Sequence, residues 1–200
     1  MTTTTSKAGI SIVSVADAPW DDVRTVFGTR GDPAGCWCQW FKQKHTDWTK
    51  TSPEERRAML QEQVRDCDPV PGLIAYLDGE PVGWCAVEPR TRYQRLRTTK
   101  VVREGSPEDW EDDSVWAVTC FVVRVEFRRR GISRALLNAA VEHARARGAR
   151  IVEGYPVDVA AKNKVASADL YYGTLSTFQG NGFRLVARPT SGRAVVQLEV

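Results

Sequence analysis

The sequence has 200 residues, of which 42% are apolar and 26% charged, with a formal net charge of +3. This length suits one domain with a sizeable core, and so mild a charge does not favour nucleic acid as a partner. No apolar run is long enough to span a membrane, and the N-terminal MTTTTSKAG lacks the apolar region of a signal peptide. We therefore expect a cytoplasmic protein with disordered residues 1–8 and a single domain over residues 9–200.

The five cysteines are expected to be reduced thiols, because their number is odd and no secretory signal accompanies them. Cys36, Trp37 and Cys38, with His45 nearby, suggest a zinc site at first sight. Zinc sites usually place two to four residues between paired cysteines and have a second paired cluster, and the sequence has neither. Packed, partly buried thiols and no bound metal are therefore the expectation.

The N-terminal half predicts a strand, two helices and a strand hairpin. Residues 10–15 alternate as a strand does, and residues 17–27 suit a first helix. A second helix over residues 52–65 begins with SPEE, a capping box with proline at the first helical position. Two strands follow at residues 72–77 and 81–87, joined by DGE, which is a hairpin signal.

Residues 88–113 carry a basic half followed by an acidic half. One interpretation is a mobile rim that selects a charged acceptor. The other is a solvated loop with local ion pairs, which we favour because charge runs usually face solvent.

Residues 114–148 contain a strand, a basic turn and a helix. SVWAVTCFVV is apolar and β-branched, as a buried strand requires. In the helix, apolar side chains recur every three or four residues, and Gly148 suits a left-handed C-terminal cap. RRRGIS, at residues 128–133, lies between the strand and the helix.

This basic turn is electrostatically unusual, because the partial positive charge of a helix N-terminus disfavours cations. Three arginines precede the helix and Arg134 lies in its first turn. The placement becomes favourable if a phosphate binds there, since free N–H groups and arginines both donate to its oxygens. Gly131 allows a close approach to the backbone. A solvated basic turn is the alternative.

Walker and Rossmann motifs are absent, which argues against a nucleotide hydrolase or a dinucleotide site.

The C-terminal segment adds one strand, one short helix and two closing strands. They are predicted at residues 150–157, 171–181, 183–187 and 194–200.

The turn and its helix resemble the acetyl-coenzyme A signature of the GCN5-related N-acetyltransferase (GNAT) superfamily, which is a strand, [RQ]-x-x-G-x-[GA] and an amphipathic helix. Arg128, Gly131 and the two leucines that follow match this signature. Ser133 replaces the usual small glycine or alanine, which could crowd a pyrophosphate slightly. The order of elements over residues 10–200 is also similar to that of the superfamily.

The resemblance implies an α/β (α+β) fold, with a mixed, mostly antiparallel sheet of about seven strands flanked by four helices. The sheet would be splayed between its fourth and fifth strands, here residues 114–123 and 150–157. It also implies acetyl-coenzyme A as the co-substrate, with no metal.

The resemblance further implies which residues bind this cofactor. The pantetheine arm would bond to the backbone of Phe121, Val122 and Val123, and one of these N–H groups would stabilise the oxyanion. The phosphates would bind at Arg128, Arg129, Arg130, Gly131, Ile132, Ser133 and Arg134.

The usual catalytic acid and base are missing. Many relatives have a glutamate in the fourth strand that deprotonates the amine, and Ala117 occupies that place here. Many also have a tyrosine in the last helix that protonates the leaving thiolate, and here that place holds Phe178.

Several residues could substitute for them. Tyr171 or Tyr172 could supply the proton, although ordinary packing is the commoner role of a tyrosine. Glu88 could act as the base through water, or could be a surface carboxylate. Cys120 could donate a proton or form an acyl-enzyme, although a buried inert thiol is commoner.

Similar transferases place the segment between their first two helices against the acceptor. Trp37, Trp40, Phe41 and Trp48 would then form an aromatic wall. A satellite core under a long loop is the equal alternative.

The function expected from these features is transfer of an acetyl group to a primary amine of a small molecule or peptide, directly in a ternary complex. The alternative is a catalytically silent acyl-coenzyme A-binding or regulatory module. Neither nucleic acid nor a membrane is an expected partner. The sequence leaves open whether the chain forms a homodimer.

Overall fold

The computed structural model describes residues 4–5, 9–162 and 164–200. Eight strands in this part of the chain form one sheet. They are β1 (Thr4–Thr5), β2 (Ile10–Ser14), β3 (Gly72–Leu77), β4 (Glu80–Pro89), β5 (Val115–Val123), β6 (Ile151–Gly154), β7 (Arg184–Thr190) and β8 (Arg193–Glu199). Their order across the sheet is β1-β2-β3-β4-β5-β6-β8-β7.

Every neighbouring pair of strands is antiparallel except β5 and β6, which run parallel. The predicted mixed, mostly antiparallel sheet is therefore confirmed, with β1 added to the expected strands. Of residues 1–8, for which we predicted disorder, only Thr4 and Thr5 lie in the described part, where they pair with Ile12 and Ser11.

The described residues form seven α-helices. Four of them, α1, α4, α6 and α7, correspond to predicted helices, and the three short ones were not predicted. None of these helices is long and apolar enough to cross a membrane. The helices are α1 (Trp20–Phe27), α2 (Gly31–Cys36), α3 (His45–Trp48), α4 (Pro53–Asp66), α5 (Lys100–Gly105), α6 (Ile132–Arg145) and α7 (Leu175–Gln179).

The last helix is shorter than its predicted span of residues 171–181. Residues Ser167–Tyr172 form a separate 3₁₀ turn, and Gly173, with φ of 75°, reverses the chain after it. Thr174 then caps α7 by accepting a hydrogen bond from the N–H of Thr177. The two candidate tyrosines therefore precede the helix and do not lie in it.

The predicted splay between the parallel strands is confirmed. β5 and β6 pair from Val115 and Ile151 to Val118 and Gly154. β5 continues to Val123, whereas β6 ends at Gly154, so the rest of this edge of β5 has no paired strand. We predicted that the second of these strands would reach Val157, but that residue instead forms isolated bridges to Thr174 and Arg193.

The charged segment at residues 88–113 is more ordered than predicted. It contains α5, and the side chain of Arg90 is completely buried. Arg90 pairs with the buried Glu153 on β6 at 3.2 Å. Because Glu153 also accepts hydrogen bonds from Ser106 and Gln197, the segment is attached to the sheet. The prediction of a solvated loop is wrong for this basic residue.

Helix α6 lies directly on β4, because β4 has a glycine where the two elements meet. A Cβ atom on Gly83 would lie 2.9 Å from Cγ2 of Ile132 and 3.2 Å from Cδ1 of Leu136. Both of these apolar side chains are buried on the inner face of α6, as the sequence pattern predicts.

We expect Gly83→Ala to destabilise the fold by roughly 1–3 kcal/mol, because the added methyl group must displace α6 from the sheet. The matched control is Gly35→Ala, where a Cβ atom would meet nothing within 4 Å. Urea unfolding measures both variants. Equal midpoints for Gly83→Ala and Gly35→Ala would contradict this account of the packing.

Candidate functional site

The N-terminus of α6 presents unused hydrogen-bond donors. Gly131 is the N-cap residue, with φ of 80°, and no side chain caps the helix. In the first turn of a helix the N–H groups have no intrahelical acceptor. Within the described part of the chain, no backbone N–H group from residue 129 to residue 134 donates to a turn, loop or cap acceptor.

Gly131 is needed for its backbone as well as for its small size. A Cβ atom there would meet nothing within 4 Å, so the space above the turn is open. Its φ of 80° is nevertheless strained for any other residue. Arg129 also has a positive φ, of 62°, so this turn holds two left-handed residues.

The arginines of the turn lack acidic partners. Arg128, Arg129 and Arg130 are exposed, and none of them forms an ion pair with a described carboxylate. The nearest acid in the chain, Glu126, is paired with Arg124 at 2.6 Å. The positive charge of the turn and of the helix end is therefore uncompensated, which is the electrostatic condition for binding an anion.

The open edge of β5 lies next to this turn. Thr119 is an extra residue in the strand, because Ala86 pairs with Cys120 while Val87 pairs with Val118. Such a bulge bends a strand and is common beside binding sites. The segment after it contains the predicted cofactor residues Phe121, Val122 and Val123.

The side chains of Phe121 and Val123 pack on the α6 face of the sheet, so a ligand at the strand edge would contact their backbone, whereas Val122 also lines the cavity described below. Phe121 packs in the core beneath α6, and Val122 packs on the opposite face of the sheet. The carbonyl of Val123 accepts a hydrogen bond from Nε of Arg128 at 3.3 Å.

A cavity of about 520 Å³ lies on the face of the sheet opposite α6. Its floor is the bulged part of β5. Its walls come from α1, α2, the segment that follows α2, α3, α4 and the 3₁₀ turn before α7. The lining residues are Phe27, Gly31, Asp32, Pro33, Gly35, Cys36, Cys38, Trp40, Phe41, Trp48, Arg56, Thr119, Cys120, Val122, Ala168, Tyr171 and Tyr172.

The structure places three of the four residues of the predicted aromatic wall at the cavity and the fourth in the core. Trp40, Phe41 and Trp48 line the cavity. Trp37 does not, because it is 5% exposed and stacks on Phe27 with ring centroids 4.8 Å apart. Trp37 therefore belongs to the core, whereas an acceptor-binding role of the other three residues stays a prediction.

Tyr172 lies in the cavity wall, beside Phe41, at a centroid distance of 5.7 Å. The guanidinium of Arg193, the first residue of β8, lies 3.5 Å from the centroid of the Tyr172 ring. Burial lowers the pKa of this guanidinium. Tyr171 lines the same cavity, and burial, followed by the nearby charge of Asp32, raises the pKa of its hydroxyl.

Phe178, at the place where relatives have tyrosine, is fully buried and faces away from the cavity. Its ring packs against Gly154, where a Cβ atom would lie 2.3 Å from Cε1 of the ring. It also makes an edge-to-face contact with Phe183 at 5.0 Å. This position has a packing role in the chain.

Glu88 does not line the cavity, and it is not a surface carboxylate, since it is 1% exposed. One of its oxygens lies 2.5 Å from Nζ of Lys42, and the other lies 3.5 Å from Arg92. The contact with Lys42 is an ion pair without a hydrogen bond. In β4, Glu88 is directly opposite Ala117 of β5, so the two side chains share one face of the sheet.

Two of the three cysteines that line the cavity, Cys36 and Cys38, are poor nucleophiles. Burial raises the pKa of Cys36 to about 12. The adjacent thiol of Cys120, together with burial, raises the pKa of Cys38 well above its usual value. Such thiols stay protonated at neutral pH. Among the described residues, no group of three or more His, Cys, Asp or Glu side chains is arranged to hold a metal ion.

Three polar or charged side chains of the lining were missed by the sequence analysis: Asp32, Arg56 and Thr119. Thr119 carried a weak signal, as a hydroxyl inside an apolar strand. Nothing in the local sequence distinguished Asp32 or Arg56 from other surface charges, because helices that are distant in the chain bring them together.

Comparison with known proteins identifies a family and a fold. A family model described as "Acetyltransferase (GNAT) family" matches residues 36–171. No curated protein matches the chain.

Several solved structures share the fold. The ribosomal-protein-alanine N-acetyltransferase from Brucella melitensis is 18% identical, and its alignment covers 94% of this chain and 99% of that one, with a TM-score of 0.54. YncA from Salmonella typhimurium, described as a putative acetyltransferase with its cofactor acetyl-CoA, is 13% identical over 96% and 94% of the two chains, with a TM-score of 0.53. The PaiA N-acetyltransferase from Thermoplasma acidophilum, in complex with coenzyme A, is 14% identical over 96% and 99%, with a TM-score of 0.51.

The buried pair of Glu88 and Lys42 gives a stability prediction. Lys42→Met should destabilise the fold by about 3 kcal/mol, because it leaves Glu88 buried with the more distant Arg92 as its remaining cation. Lys44→Met is the control, since Lys44 is exposed and a surface change of this kind should stay within roughly 0.5 kcal/mol. Chemical denaturation measures both.

The double variant Lys42→Met/Glu88→Leu tests the cause. Removing both charges should restore much of the lost stability, because the desolvated carboxylate is then gone. If the double variant is less stable than Lys42→Met alone, burial of an unpaired charge is the wrong explanation.

Proposed function

Because the chain belongs to the acetyltransferase (GNAT) family, we propose that it transfers an acetyl group from acetyl-coenzyme A to a primary amine of a small molecule or peptide. One observation carries this proposal. The uncompensated positive turn, the unpaired edge of β5 and the cavity are adjacent, in the order that phosphates, pantetheine and acceptor require.

The residues present fit coenzyme A. The free N–H groups from residue 129 to residue 134 would donate to the pyrophosphate, with Arg128, Arg129, Arg130 and Arg134 adding charge-assisted bonds. The open space above Gly131 leaves room for the phosphate oxygens. The pantetheine arm, which behaves like a strand edge, would bond to the backbone of Phe121, Val122 and Val123.

Transfer is direct in a ternary complex. The amine nitrogen attacks the thioester carbonyl carbon, a C–N bond forms and the C–S bond breaks with its electron pair going to sulfur. A backbone N–H group on the open edge of β5 stabilises the negative charge that develops on the carbonyl oxygen. Holding both substrates beside β5 supplies much of the remaining rate increase.

The amine must be neutral when it attacks, so a protonated acceptor first loses one proton to water. Two further protons then move. We assign the proton that the thiolate receives to the hydroxyl of Tyr172, because that residue lines the same cavity as Thr119 and Cys120 of β5. The amine proton leaves through the mouth of the cavity to water. Glu88, which the sequence suggested as the base, would take part only through a water chain, since its carboxylate is buried against Lys42 outside the lining.

A second candidate function is an acyl-coenzyme A-binding or regulatory module without catalysis. Ala117 and Phe178, which occupy the usual positions of the base and acid, are both fully buried in hydrophobic clusters and carry no ionisable group. Binding of coenzyme A without acetylation of any amine would favour this candidate.

The phosphate site can be tested by removing charge from the turn. We expect Arg129→Gln/Arg130→Gln to raise the Kd for coenzyme A at least about tenfold, since hydrogen bonds to charged groups contribute roughly 1.5–3 kcal/mol each. The control is Arg145→Gln, at the other end of α6, where the arginine pairs with Glu142. Calorimetry and thermal shift measure binding of acetyl-coenzyme A, coenzyme A, ATP and NAD in parallel. A similar affinity for all four ligands would argue against the assignment.

The role of Tyr172 is tested by Tyr172→Phe. We expect kcat for acetyl transfer to fall by roughly a hundredfold while the Kd for coenzyme A stays unchanged, because a general acid contributes to the chemical step. Tyr76→Phe is the control, since its hydroxyl bonds to Asp22 at 2.7 Å, away from the cavity lining. Unchanged turnover in Tyr172→Phe would assign the proton to another donor.

A further inference from the structure

The cavity beside β5 indicates which amines it can accept. Its aromatic side chains are held by one another: Trp40 meets Trp48 edge to face at 4.9 Å and 86°, and Phe41 packs on Tyr172 at 5.7 Å. Its volume of about 520 Å³ is typical of a site that encloses a small molecule. Because the ring faces are fixed before binding, a flat apolar ligand loses little free energy in ordering them.

The one cation of the lining is not available to a ligand. Arg56 donates from Nη1 to the carbonyl of Gly35, from Nη2 to the carbonyls of Trp48 and Thr51, and from Nε to the hydroxyl of Thr51. Its guanidinium also stacks on the ring of Trp48 at 3.5 Å. All of its nitrogens are thus used to hold the wall. Two further guanidinium groups, those of Arg95 on the Trp40 ring at 3.9 Å and of Arg193 on the Tyr172 ring at 3.5 Å, lie against wall rings but outside the lining. The described lining residues themselves therefore offer no free positive charge to a carboxylate or phosphate of an acceptor.

The lining carries one carboxylate, Asp32, at the exposed mouth of the cavity. No hydrogen bond or ion pair joins its side chain to another described residue. A negative charge here attracts protonated amines to the mouth and disfavours anionic ones. The cavity is therefore selective in two respects: its walls favour apolar surface and its entrance favours positive charge.

We propose that the acceptor is a small primary amine carried on an aromatic body, such as an arylalkylamine. This proposal rests on the acetyl-transfer function proposed above and narrows its acceptor. The ring lies between Trp40, Trp48 and Phe41, and the amine nitrogen points toward the bulge at Thr119. Amino acids and acidic peptides are poor acceptors, because their carboxylates find no free cation in the described lining. Polyamines are poor acceptors for a different reason: among the described lining residues only Asp32, at the mouth, can pair with their several positive charges, and the inner charges would lie against apolar walls.

The test is a panel of acceptors with the intact chain and acetyl-coenzyme A. It contains 2-phenylethylamine, butylamine, spermidine, glutamate and an alanine-terminated peptide. We expect kcat/KM for 2-phenylethylamine to exceed that for each of the others by at least about a hundredfold, since even one methylene group is worth roughly tenfold or more in an apolar pocket. Faster turnover of spermidine, glutamate or the peptide overturns the acceptor assignment and leaves acetyl transfer standing.

A measurement of acceptor binding without turnover tests this inference independently of the transfer function. Calorimetry measures the affinity for 2-phenylethylamine in the presence of coenzyme A, which prevents turnover. We expect Trp40→Ala to weaken this affinity at least about tenfold, whereas Trp110→Ala, which removes a tryptophan stacked on Arg90 outside the lining, leaves it unchanged. Asp32→Asn should weaken binding of 2-phenylethylamine but not of the uncharged 2-phenylethanol.

The outcomes are distinguishable. Tight, Trp40-dependent binding of 2-phenylethylamine supports the aromatic acceptor site even if no amine is acetylated, and that lack of turnover would instead contradict the transfer function. Absence of binding in the unmodified protein overturns the inference, whether or not the variants fold. Melting temperatures of the variants, measured alongside, identify any loss of affinity that is due to unfolding.

Discussion

The parallel pairing of β5 with β6 ends at Val118 and Gly154, and the candidate site depends on where it ends. If the two strands stayed paired, the backbone of β5 beyond the bulge would bond to β6 and could not bond to a ligand. Phe178 occupies the space beside Gly154, where no larger residue would fit. The Phe178 ring therefore packs in the core at the point where β5 and β6 diverge, which is the inner end of the gap between the two strands.

The turn before α6, unlike the packing around Phe178, lowers the stability of the unliganded fold. Four arginines lie at the positive end of a helix with no described carboxylate to neutralise them, and two residues of the turn have left-handed backbone. Each of these features costs free energy in the unliganded protein. A phosphate group would convert the repulsion into attraction, so the cost is understandable as preparation for an anionic ligand.

Buried charges make the remaining walls rigid. Arg90 with Glu153, and Lys42 with Glu88, connect loops to the sheet on the side where the cavity opens. A buried ion pair adds little net stability but strongly disfavours any arrangement that separates its members. The loops are therefore held in one geometry, which suits a cavity whose aromatic rings must be in place before a ligand arrives.

The sequence alone determined the features that depend on neighbouring residues. SPEE starts α4, with the side chain of Ser52 and that of Glu55 each accepting from the other's N–H. DG joins β3 to β4, and the period of α6 was readable from its apolar residues. These are local hydrogen bonds and local periodicities, so they need no knowledge of the rest of the chain. The order of the elements, and with it the family, followed from them.

Only the tertiary structure decided which side chains meet. Trp37 and Trp40 are three residues apart, yet the first is in the core and the second is in the cavity, because Trp37 and Cys38 both adopt left-handed backbone after α2. Glu88 looked like an accessible carboxylate until Lys42, from a distant segment, was placed against it. Such choices depend on contacts between residues far apart in the chain, and a sequence pattern of short range carries no information about them.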